Sequence, residues 1–325
     1  MSAMHSPAPI VVFVYNRPVH TAEMIESLAK NTMARQSDLL IFSDAEKGDA
    51  DRQAVTRVRE TVARVSERGD FRSVRIFGAR QHRGLARSVI SGVSQVLDEY
   101  DRVIVLEDDL VTSPDFLSFM NDALERYRLN LRVWSISGYS PPIALPADYA
   151  ESVYFTYRGS SWGYGTWKNR WAGIDWSVSD YHSFRTNRGA RSRLNRGGRD
   201  MAQMLDRQME GAIDSWAIRW CYAQSKQDAL TVYPVQSLVR NIGLDGSGTH
   251  SGFATHFSVN VGQRPAKEEL CDPFLDKRAL TSFRDRYGTA IDHLRISVSR
   301  LLRGFVARGQ RARSPEALDN RETTT

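Results

Sequence analysis

The sequence predicts an α/β fold in which a mostly parallel sheet is flanked by helices. Short apolar runs rich in β-branched residues recur along the N-terminal part of the chain, as at 10–14 (IVVFV) and 102–106 (RVIVL). Most of these runs are followed by a segment with helical spacing, and several end in polar residues. Strands that alternate with helices are typical of βαβ units and of a parallel sheet.

The predicted elements follow one another in a regular order. Strands are predicted at 10–14, 38–43, 73–77, 102–106, 132–137 and 229–233. Helices are predicted at 19–30, 49–68, 85–99 and 213–226, and another is expected to begin at Ser113-Pro114-Asp115. Loops are predicted at 139–149 and at 185–199, where arginines and glycines indicate a mobile segment.

Length and composition are those of a globular protein. The 325 residues are 41% hydrophobic and 25% charged, which suits one large α/β domain or two small ones. The net charge of +6 is compatible with anionic substrates but is too small to indicate nucleic-acid binding. Two cysteines form no disulfide framework, and neither a signal peptide nor a membrane span is evident, so we expect a cytoplasmic protein.

Polar residues follow three of the predicted strands. Asn16-Arg17 follows the first strand, Asp44 the second, and the triplet Glu107-Asp108-Asp109 the fourth. The carboxyl ends of parallel strands meet at one edge of a sheet, and α/β proteins bind ligands at this edge. We therefore expect these residues, which are distant in sequence, to line one site.

The triplet Glu107-Asp108-Asp109 is typical of a divalent-metal site. Mg²⁺ and Mn²⁺ prefer oxygen ligands, and a metal held there would neutralise charge on the diphosphate that leaves a nucleotide sugar. A solvated turn is the alternative, because acids are common where strands end. The apolar pattern before the triplet and the predicted helix after it favour the metal site.

Several segments resemble the N-acetylglucosaminyltransferase I family, whose members have the GT-A fold with a Rossmann-like sheet and transfer sugars with inversion. The metal-site segment of that family is similar to VIVLEDDLVTSPDFLSFMNDAL. Five further stretches are similar in the same order: PIVVFVYNRPVH, LLIFSDAEKG, VYFTYRGSSWGYGTWKNRW, AIDSWAIRW and RNIGLDGSGTH. The resemblance covers roughly residues 9–252. It departs from the family at Trp162-Gly163-Tyr164-Gly165, where the family has Gly-Leu-Gly-Trp, and we expect no counterpart of the membrane anchor of eukaryotic members.

The resemblance implies a role for each matching residue. Asp109 would bind Mn²⁺ or Mg²⁺, and its two acidic neighbours would contact the ribose and the donor sugar. Asp44 would read the base, expected to be uracil, while Arg17 would lie near the donor phosphates and Arg83 near the nucleotide. Taken alone, Arg17 is more typical of a surface arginine before a proline, and Asp44 of a turn.

Asp214, in AIDSWAIRW, matches the catalytic base of the family. An inverting transfer needs a base that takes the proton of the acceptor hydroxyl, and a carboxylate can do so. The alternative is a structural role, because an acid at the start of a helix is a favourable cap or dipole partner. The pattern alone favours the cap, and the resemblance makes the two readings comparable.

An aromatic cluster and a glycine-rich loop complete the candidate site. Flat rings suit the faces of sugars, although at least half of the cluster is expected to be core: Trp162, Tyr164, Trp167, Trp171 and Trp176. Trp162 and Tyr164 are the better site candidates, because Gly163 between them would let a ligand approach the backbone. The loop 240–252 is expected to close over the donor, with His250 as a phosphate or metal ligand.

The predicted domain organisation places one glycosyltransferase domain at 9–260. Its nucleotide-sugar half is 9–137 and its acceptor half is 138–260, preceded by a flexible N-terminus at 1–8. A helical extension is expected at 261–313 and a disordered tail at 314–325. Apolar residues at helical spacing among arginines in 291–313 would bind the inner face of a membrane or pack on the protein.

The expected function is therefore the transfer of a sugar from a UDP-sugar to a glycan, lipid-linked or protein hydroxyl. A nucleotidyltransferase that makes nucleotide sugars is a second possibility, although the glycine-rich basic loop of that class does not follow the first strand. A non-catalytic carbohydrate-binding homologue is a third. The absence of G-x-G-x-x-G after the first strand disfavours a dinucleotide-dependent oxidoreductase.

Overall fold

The computed structural model describes residues 6–245, 257–263 and 269–287. Its strands are β1 (Ile10–Val14), β2 (Asp38–Ser43), β3 (Ser73–Gly78), β4 (Arg102–Glu107), β5 (Leu110–Thr112), β6 (Val133–Ser137), β7 (Val153–Thr156), β8 (Tyr164–Trp167), β9 (Leu230–Pro234) and β10 (Val239–Asn241). Eight of them form one sheet in the order β3-β2-β1-β4-β8-β6-β9-β7, and β5 pairs with β10 in a separate antiparallel ribbon.

Six strands of the large sheet run in one direction, and β7 and β8 run against them. The predicted α/β fold with a mostly parallel sheet is confirmed. Because β1, β2 and β4 are adjacent and parallel, their carboxyl ends lie side by side. This edge is the place where the sequence puts Arg17, Asp44 and the acidic triplet.

Helices cover both faces of the sheet, so the central strands are apolar on both sides. Along β1, Ile10 and Val12 pack with the first, second and fifth helices, whereas Val11 and Phe13 pack with the fourth and tenth. The helices are α1 (Pro18–Ala29), α2 (Asp49–Ala63), α3 (Val65–Arg68), α4 (Leu85–Glu99), α5 (Phe116–Arg126), α6 (Lys168–Trp171), α7 (Tyr181–Thr186), α8 (Arg188–Leu194), α9 (Met201–Met209), α10 (Trp216–Lys226) and α11 (Lys277–Arg286).

Three sequence predictions are corrected by the structure. The single helix predicted at 49–68 is divided at Arg64 into α2 and α3. The helix predicted to begin at Ser113-Pro114-Asp115 begins at Phe116, and Ser113 is joined to the ribbon instead, where its N–H donates to the carbonyl of Leu238 (2.9 Å).

The third correction concerns 185–199, predicted to be a mobile loop. The segment holds the end of α7, the whole of α8 and a 3₁₀ turn at Asn195–Gly197. The Asn187 side chain caps α8 by accepting the N–H of Ala190 (3.0 Å), and Phe184 and Leu194 are buried beneath it. Leu194, which lies between the arginines, and Phe184, which lies just before the segment, therefore anchor it.

After β10, the structure describes only part of the chain. In the described part, α11 packs through Phe283 on Tyr154 and Tyr233 of the outer strands β7 and β9. The described residues form one compact unit. The predicted helix at 291–313, the tail at 314–325 and most of the N-terminus at 1–8 lie outside the described residues. No helix in the described part of the chain is long and apolar enough to cross a membrane.

Candidate functional site

The acidic triplet lies where β4 ends and β5 begins, at the carboxyl edge of the sheet. Glu107 is the last residue of β4, and Asp108 and Asp109 form the turn to Leu110. The Asp108 and Asp109 side chains are each 13% exposed. Burial, followed by the charge of Asp109, raises the pKa of Asp108 to about 7 and that of Glu107 well above its usual range. Neighbouring buried carboxyls are costly to ionise together unless a positive charge lies beside them.

Arg17 is the cationic neighbour of the triplet. It follows β1, and its Nη1 donates to Asp109 Oδ2 at 2.8 Å and lies 4.0 Å from Asp108 Oδ1. Burial raises the pKa of the Asp109 carboxyl, and Arg17 acts in the opposite direction. The structure thus brings together two residues whose proximity the sequence analysis expected.

Asp109 has one oxygen to spare. Its Oδ1 is buried and has no hydrogen-bond partner, whereas Oδ2 is held by Arg17. Gly243 closes over this pair, since a Cβ there would overlap the Asp109 carboxylate and lie 2.6 Å from Arg17 Nη1. The backbone also links the two segments, because the N–H of Ile242 donates to the Asp109 carbonyl (2.8 Å).

The carboxylate oxygens at this site suit a metal ion that takes most of its ligands from water and substrate. Among residues 6–245, 257–263 and 269–287, no three His, Cys, Asp or Glu side chains converge as a complete metal site. Mg²⁺ is commonly held by one or two carboxylates, with waters and substrate phosphates completing its shell. The free Oδ1 of Asp109 fits this kind of site.

Asp44 holds the loop that leads into α4. Its carboxylate, 8% exposed as a residue, accepts the N–H groups of Ala45, Arg83 and Gly84 at 2.9 Å each. His82 Nδ1 lies 3.0 Å from Asp44 Oδ2. Asp44 therefore shapes the rim of the site through the backbone of 82–84. Arg83 reaches Asp44 through its N–H, and its exposed side chain lies at the rim.

A second cluster lies between Arg17 and the start of α2: it joins Asn16, which the sequence analysis places at this edge, to Tyr15 and Asp51, which it did not single out. The Tyr15 hydroxyl donates to Asp51 Oδ2 (2.8 Å), and Asn16 Nδ2 donates to Asp51 Oδ1 (2.9 Å). The Tyr15 ring lies 5.1 Å from the His82 ring. The backbone N–H of Tyr15 donates to Asp108 Oδ2 (3.3 Å). The signal for this cluster in the sequence was the pair Tyr15-Asn16 directly after a buried strand. The pair did not reveal its partner, because Asp51 is 35 residues or more away in sequence.

Asp214 lies at the same rim and is exposed. Its side chain is 61% accessible, and Arg219 Nη2 is 3.8 Å from its Oδ1. A Cβ on Gly84 would lie 3.9 Å from Asp214 Oδ2, so the carboxylate borders the loop held by Asp44. The cap of α10 is Ser215, whose Oγ accepts the N–H of Ile218 (3.3 Å), and Asp214 is the residue before it. The structure thus assigns the cap to the neighbour of Asp214.

Two of the aromatic candidates are partly buried and three are buried. Trp162 is partly buried and packs edge-on against Tyr139, with ring centroids 4.6 Å apart. Tyr164 is 1% exposed beneath Trp216 and Trp220, so its ring offers no face to a sugar. Trp167 and Trp171 are also core residues, and Trp176 is partly buried against Trp171.

Gly163 has a structural reason to be glycine. Its φ is +66°, a left-handed conformation that side chains disfavour, and a Cβ would lie 2.8 Å from Val239 of β10. The close contact packs the β5–β10 ribbon against the large sheet. In the predicted loop 240–252, the described part begins in β10 and reaches Asp109 through Ile242 and Gly243. His250 lies outside the described residues.

Comparisons with known proteins give partial likenesses. No protein-family model matches this chain, and no curated protein matches it significantly. A solved structure of S. aureus TarS is 11% identical with a TM-score of 0.33, over 49% of this chain and 28% of that one. A putative nucleotide-diphospho-sugar transferase from Desulfovibrio desulfuricans G20 is 14% identical with a TM-score of 0.30, over 56% of this chain and 76% of that one. The bifunctional glycosyltransferase WbbM is 14% identical with a TM-score of 0.27, over 43% and 24%. Likenesses this distant leave the activity to be inferred from the residues at the carboxyl edge of the sheet.

Proposed function

We propose that this chain is a GT-A type glycosyltransferase that moves a sugar from a UDP-sugar, with UDP-GlcNAc as the first donor to test, to a hydroxyl acceptor. One observation carries the proposal. At the edge where parallel α/β sheets bind ligands, Arg17 and the triplet 107–109 face one another across the ends of β1 and β4. The Arg17 guanidinium suits the negative charge of a diphosphate, and the carboxylates beside it suit the metal ion that such a diphosphate carries.

The donor diphosphate is assigned to Arg17 and Asp109. Asp109 would hold Mn²⁺ or Mg²⁺ through its free Oδ1, and the bound ion would neutralise charge on the leaving diphosphate. Arg17, released from Asp109 Oδ2, would then be available to the phosphate oxygens. Glu107 and Asp108, in this proposal, accept the hydroxyl groups of the ribose and donor sugar.

The nucleoside is assigned to the Tyr15 side of the site. Asp44 fixes loop 82–84, and this loop and the Tyr15–Asp51 pair form two walls beside the ends of β1 and β2. Arg83, at the rim, would meet the nucleotide from outside. In this arrangement Asp44 supports the base pocket through the backbone it holds.

The chemical step is assigned to Asp214. The acceptor hydroxyl oxygen would attack the anomeric carbon while the bond to the diphosphate oxygen breaks, and Asp214 would take the hydroxyl proton. Its exposed position suits a group that meets an acceptor arriving from solvent. The acceptor class, whether glycan, lipid-linked or protein, is open in this proposal.

A panel of nucleotide sugars tests the proposal. We expect one UDP-sugar to be hydrolysed slowly and to raise Tm only with Mn²⁺ or Mg²⁺, and Arg17→Gln to lose both effects. The matched control is Arg191→Gln, which removes an arginine from an ion pair with Asp206 at a similar distance (2.7 Å) elsewhere. Binding of sugars without any donor hydrolysis or transfer would instead indicate a carbohydrate-binding homologue. Release of diphosphate from a nucleoside triphosphate and sugar phosphate would indicate a nucleotidyltransferase.

A further inference from the structure

The loop between α5 and β6, residues 127–132, presents two leucines to solvent. Leu129 is 79% exposed and Leu131 is 68% exposed, the two highest values among the large hydrophobic side chains described. Both line an open groove of about 700 Å³, together with Glu125, Arg126, Arg128, Asn130 and Arg132. Isolated exposed leucines are ordinary. A pair of them on one ordered loop, with arginines on either side, calls for an explanation.

A buried arginine holds this loop in shape. Arg170 is 3% exposed, and its Nη2 donates to the carbonyls of Arg128 (2.9 Å) and Asn130 (3.2 Å). Its guanidinium also lies over the Trp167 ring, at 4.4 Å from the centroid. Burial lowers the pKa of Arg170 to about 10, so it stays charged at neutral pH. A charge in the core is costly unless its hydrogen bonds are satisfied, and three carbonyls of the exposed loop accept the bonds of Nη2.

The loop closes on itself as well. The N–H of Asn130 donates to the Tyr127 carbonyl (3.0 Å), and the N–H of Arg132 donates to Asn130 Oδ1 (3.1 Å). The leucines are therefore displayed by a fixed backbone. A rigid display reduces the entropy that an interaction surface loses when it binds.

We propose that the α5–β6 loop docks on an anionic phospholipid surface, with Leu129 and Leu131 entering the boundary between headgroups and acyl chains. Arg132 would meet a lipid phosphate directly, whereas Arg126 and Arg128 would exchange their ion pairs with Asp272 (2.7 Å) and Glu125 (3.3 Å) for pairs with lipid phosphates. Apolar side chains flanked by cations are the combination that binds at such a boundary. A second copy of the chain fits less well, because a two-fold contact through the leucines would set these arginines against their own copies.

Topology fixes which way a docked molecule would face. β4 and β6 both run antiparallel to β8, so they are parallel to each other. The α5–β6 loop precedes β6 and lies at the amino edge of the sheet, whereas the triplet follows β4 at the carboxyl edge. A membrane bound by this loop would leave the candidate site directed away from the bilayer. The inference is independent of the activity of that site.

Vesicle sedimentation of the full chain tests the proposal. The vesicles are phosphatidylcholine, alone or with about one third phosphatidylglycerol, at low salt. We expect binding to the anionic vesicles only, reduced by at least about tenfold in Leu129→Ser/Leu131→Ser, because two apolar side chains no longer enter the bilayer. Arg128→Gln/Arg132→Gln should also bind less and depend less on salt. Val19→Ser is the matched control, because Val19 is a single hydrophobic residue that is 66% exposed.

The outcomes separate the alternatives. Since both leucines are largely exposed, their replacement should leave Tm unchanged, and a loss of binding then reports on the surface itself. Equal binding by the wild type and the leucine variant would overturn the proposal and place membrane contact elsewhere in the chain. A leucine variant that changes the molecular mass in sedimentation equilibrium, with vesicle binding unaltered, would overturn it in favour of self-association.

Discussion

The Arg17 guanidinium donates to the Asp109 carboxylate at 2.8 Å across 92 residues of sequence. The contact exists because β1 and β4 are neighbours and parallel, so their carboxyl ends deliver both side chains to one point. It leaves the second oxygen of Asp109 buried without a partner. Arg17 holds only one oxygen of the Asp109 carboxylate. We expect a metal ion to bind the other oxygen and the anion bound to that metal ion to meet Arg17.

Replacing Asp109 should therefore uncouple nucleotide binding from metal. Asp109→Ala is expected to weaken UDP binding in Mn²⁺ by about tenfold or more, because a hydrogen-bonded metal ligand is lost. With a chelator, the variant should bind UDP at least as well as the wild type, since Arg17 is then free of its carboxylate. Calorimetry in both conditions measures the difference.

Asp206→Asn is the control, because Asp206 also forms an ion pair with an arginine but lies outside the site. It should bind UDP as the wild type does. If the wild type binds UDP equally well with and without chelator, Asp109 has no metal role.

Gly243 gives a steric test of the same point. Gly243→Ala would place a methyl group against Asp109 and Arg17, so one of them must move. Overpacking of this size costs about 1–3 kcal/mol, and we expect UDP affinity in Mn²⁺ to fall about tenfold. Gly173→Ala, where an added Cβ meets nothing within 4 Å, is the control. Unchanged UDP affinity in Gly243→Ala would mean that this loop does not border the donor.

The parallel half of the fold was predictable because its signals are local. The runs that form β1, β2 and β4 are apolar on both faces, as buried parallel strands are, and they locate Arg17, Asp44 and the triplet at one edge. The strands β5, β7, β8 and β10 were not predicted. Each is only three or four residues long, too short to show a strand period, and tertiary contacts such as Gly163 against Val239 define them.

Side-chain roles were less predictable than positions. The sequence places Asp44 at a strand end but says nothing of the three N–H groups that it accepts from residues 45, 83 and 84. Tyr164 carries a site-like pattern between two glycines, yet its ring is buried by α10. The partners of both residues come from distant segments, so the pattern around each residue could not reveal them.

Acid should destabilise the fold through Asp38. Its carboxylate accepts Nε of Arg72 (2.8 Å), the Ser73 hydroxyl (2.6 Å) and the Tyr100 hydroxyl (3.1 Å), and the Arg72 bond first of all lowers its pKa to about 2. A depressed folded-state pKa gives stability that is present above the ordinary pKa near 4 and is lost as the pH falls towards 2. Because Arg72 is 44% exposed, the contribution should be about 1 kcal/mol.

Urea unfolding of the wild type and Asp38→Asn measures this contribution. The two free energies of unfolding should differ by about 1 kcal/mol at neutral pH and converge as the pH falls from about 4 to about 2. Asp228→Asn, at an ion-paired aspartate that is 62% exposed, should show a smaller difference. A difference for Asp38→Asn that does not change with pH would contradict the assignment.

Asp214→Asn is the sharpest test of the chemistry. Because Ser215 is the helix cap and Asp214 is exposed, the substitution should leave folding and UDP binding unchanged. If Asp214 takes the acceptor proton, kcat should fall by about 10² to 10⁴. Ser215→Ala is the complementary variant: it removes the cap at a cost of about 1 kcal/mol and retains the carboxylate, so it should lower Tm and still transfer sugar.

Near-normal transfer by a folded Asp214→Asn protein would remove Asp214 from the mechanism. Asp175 would be a poor replacement, because its carboxylate already accepts the N–H and hydroxyl groups of Ser177 and Ser179. The search for the base would then move to Asp245, two residues beyond the glycine that covers Asp109.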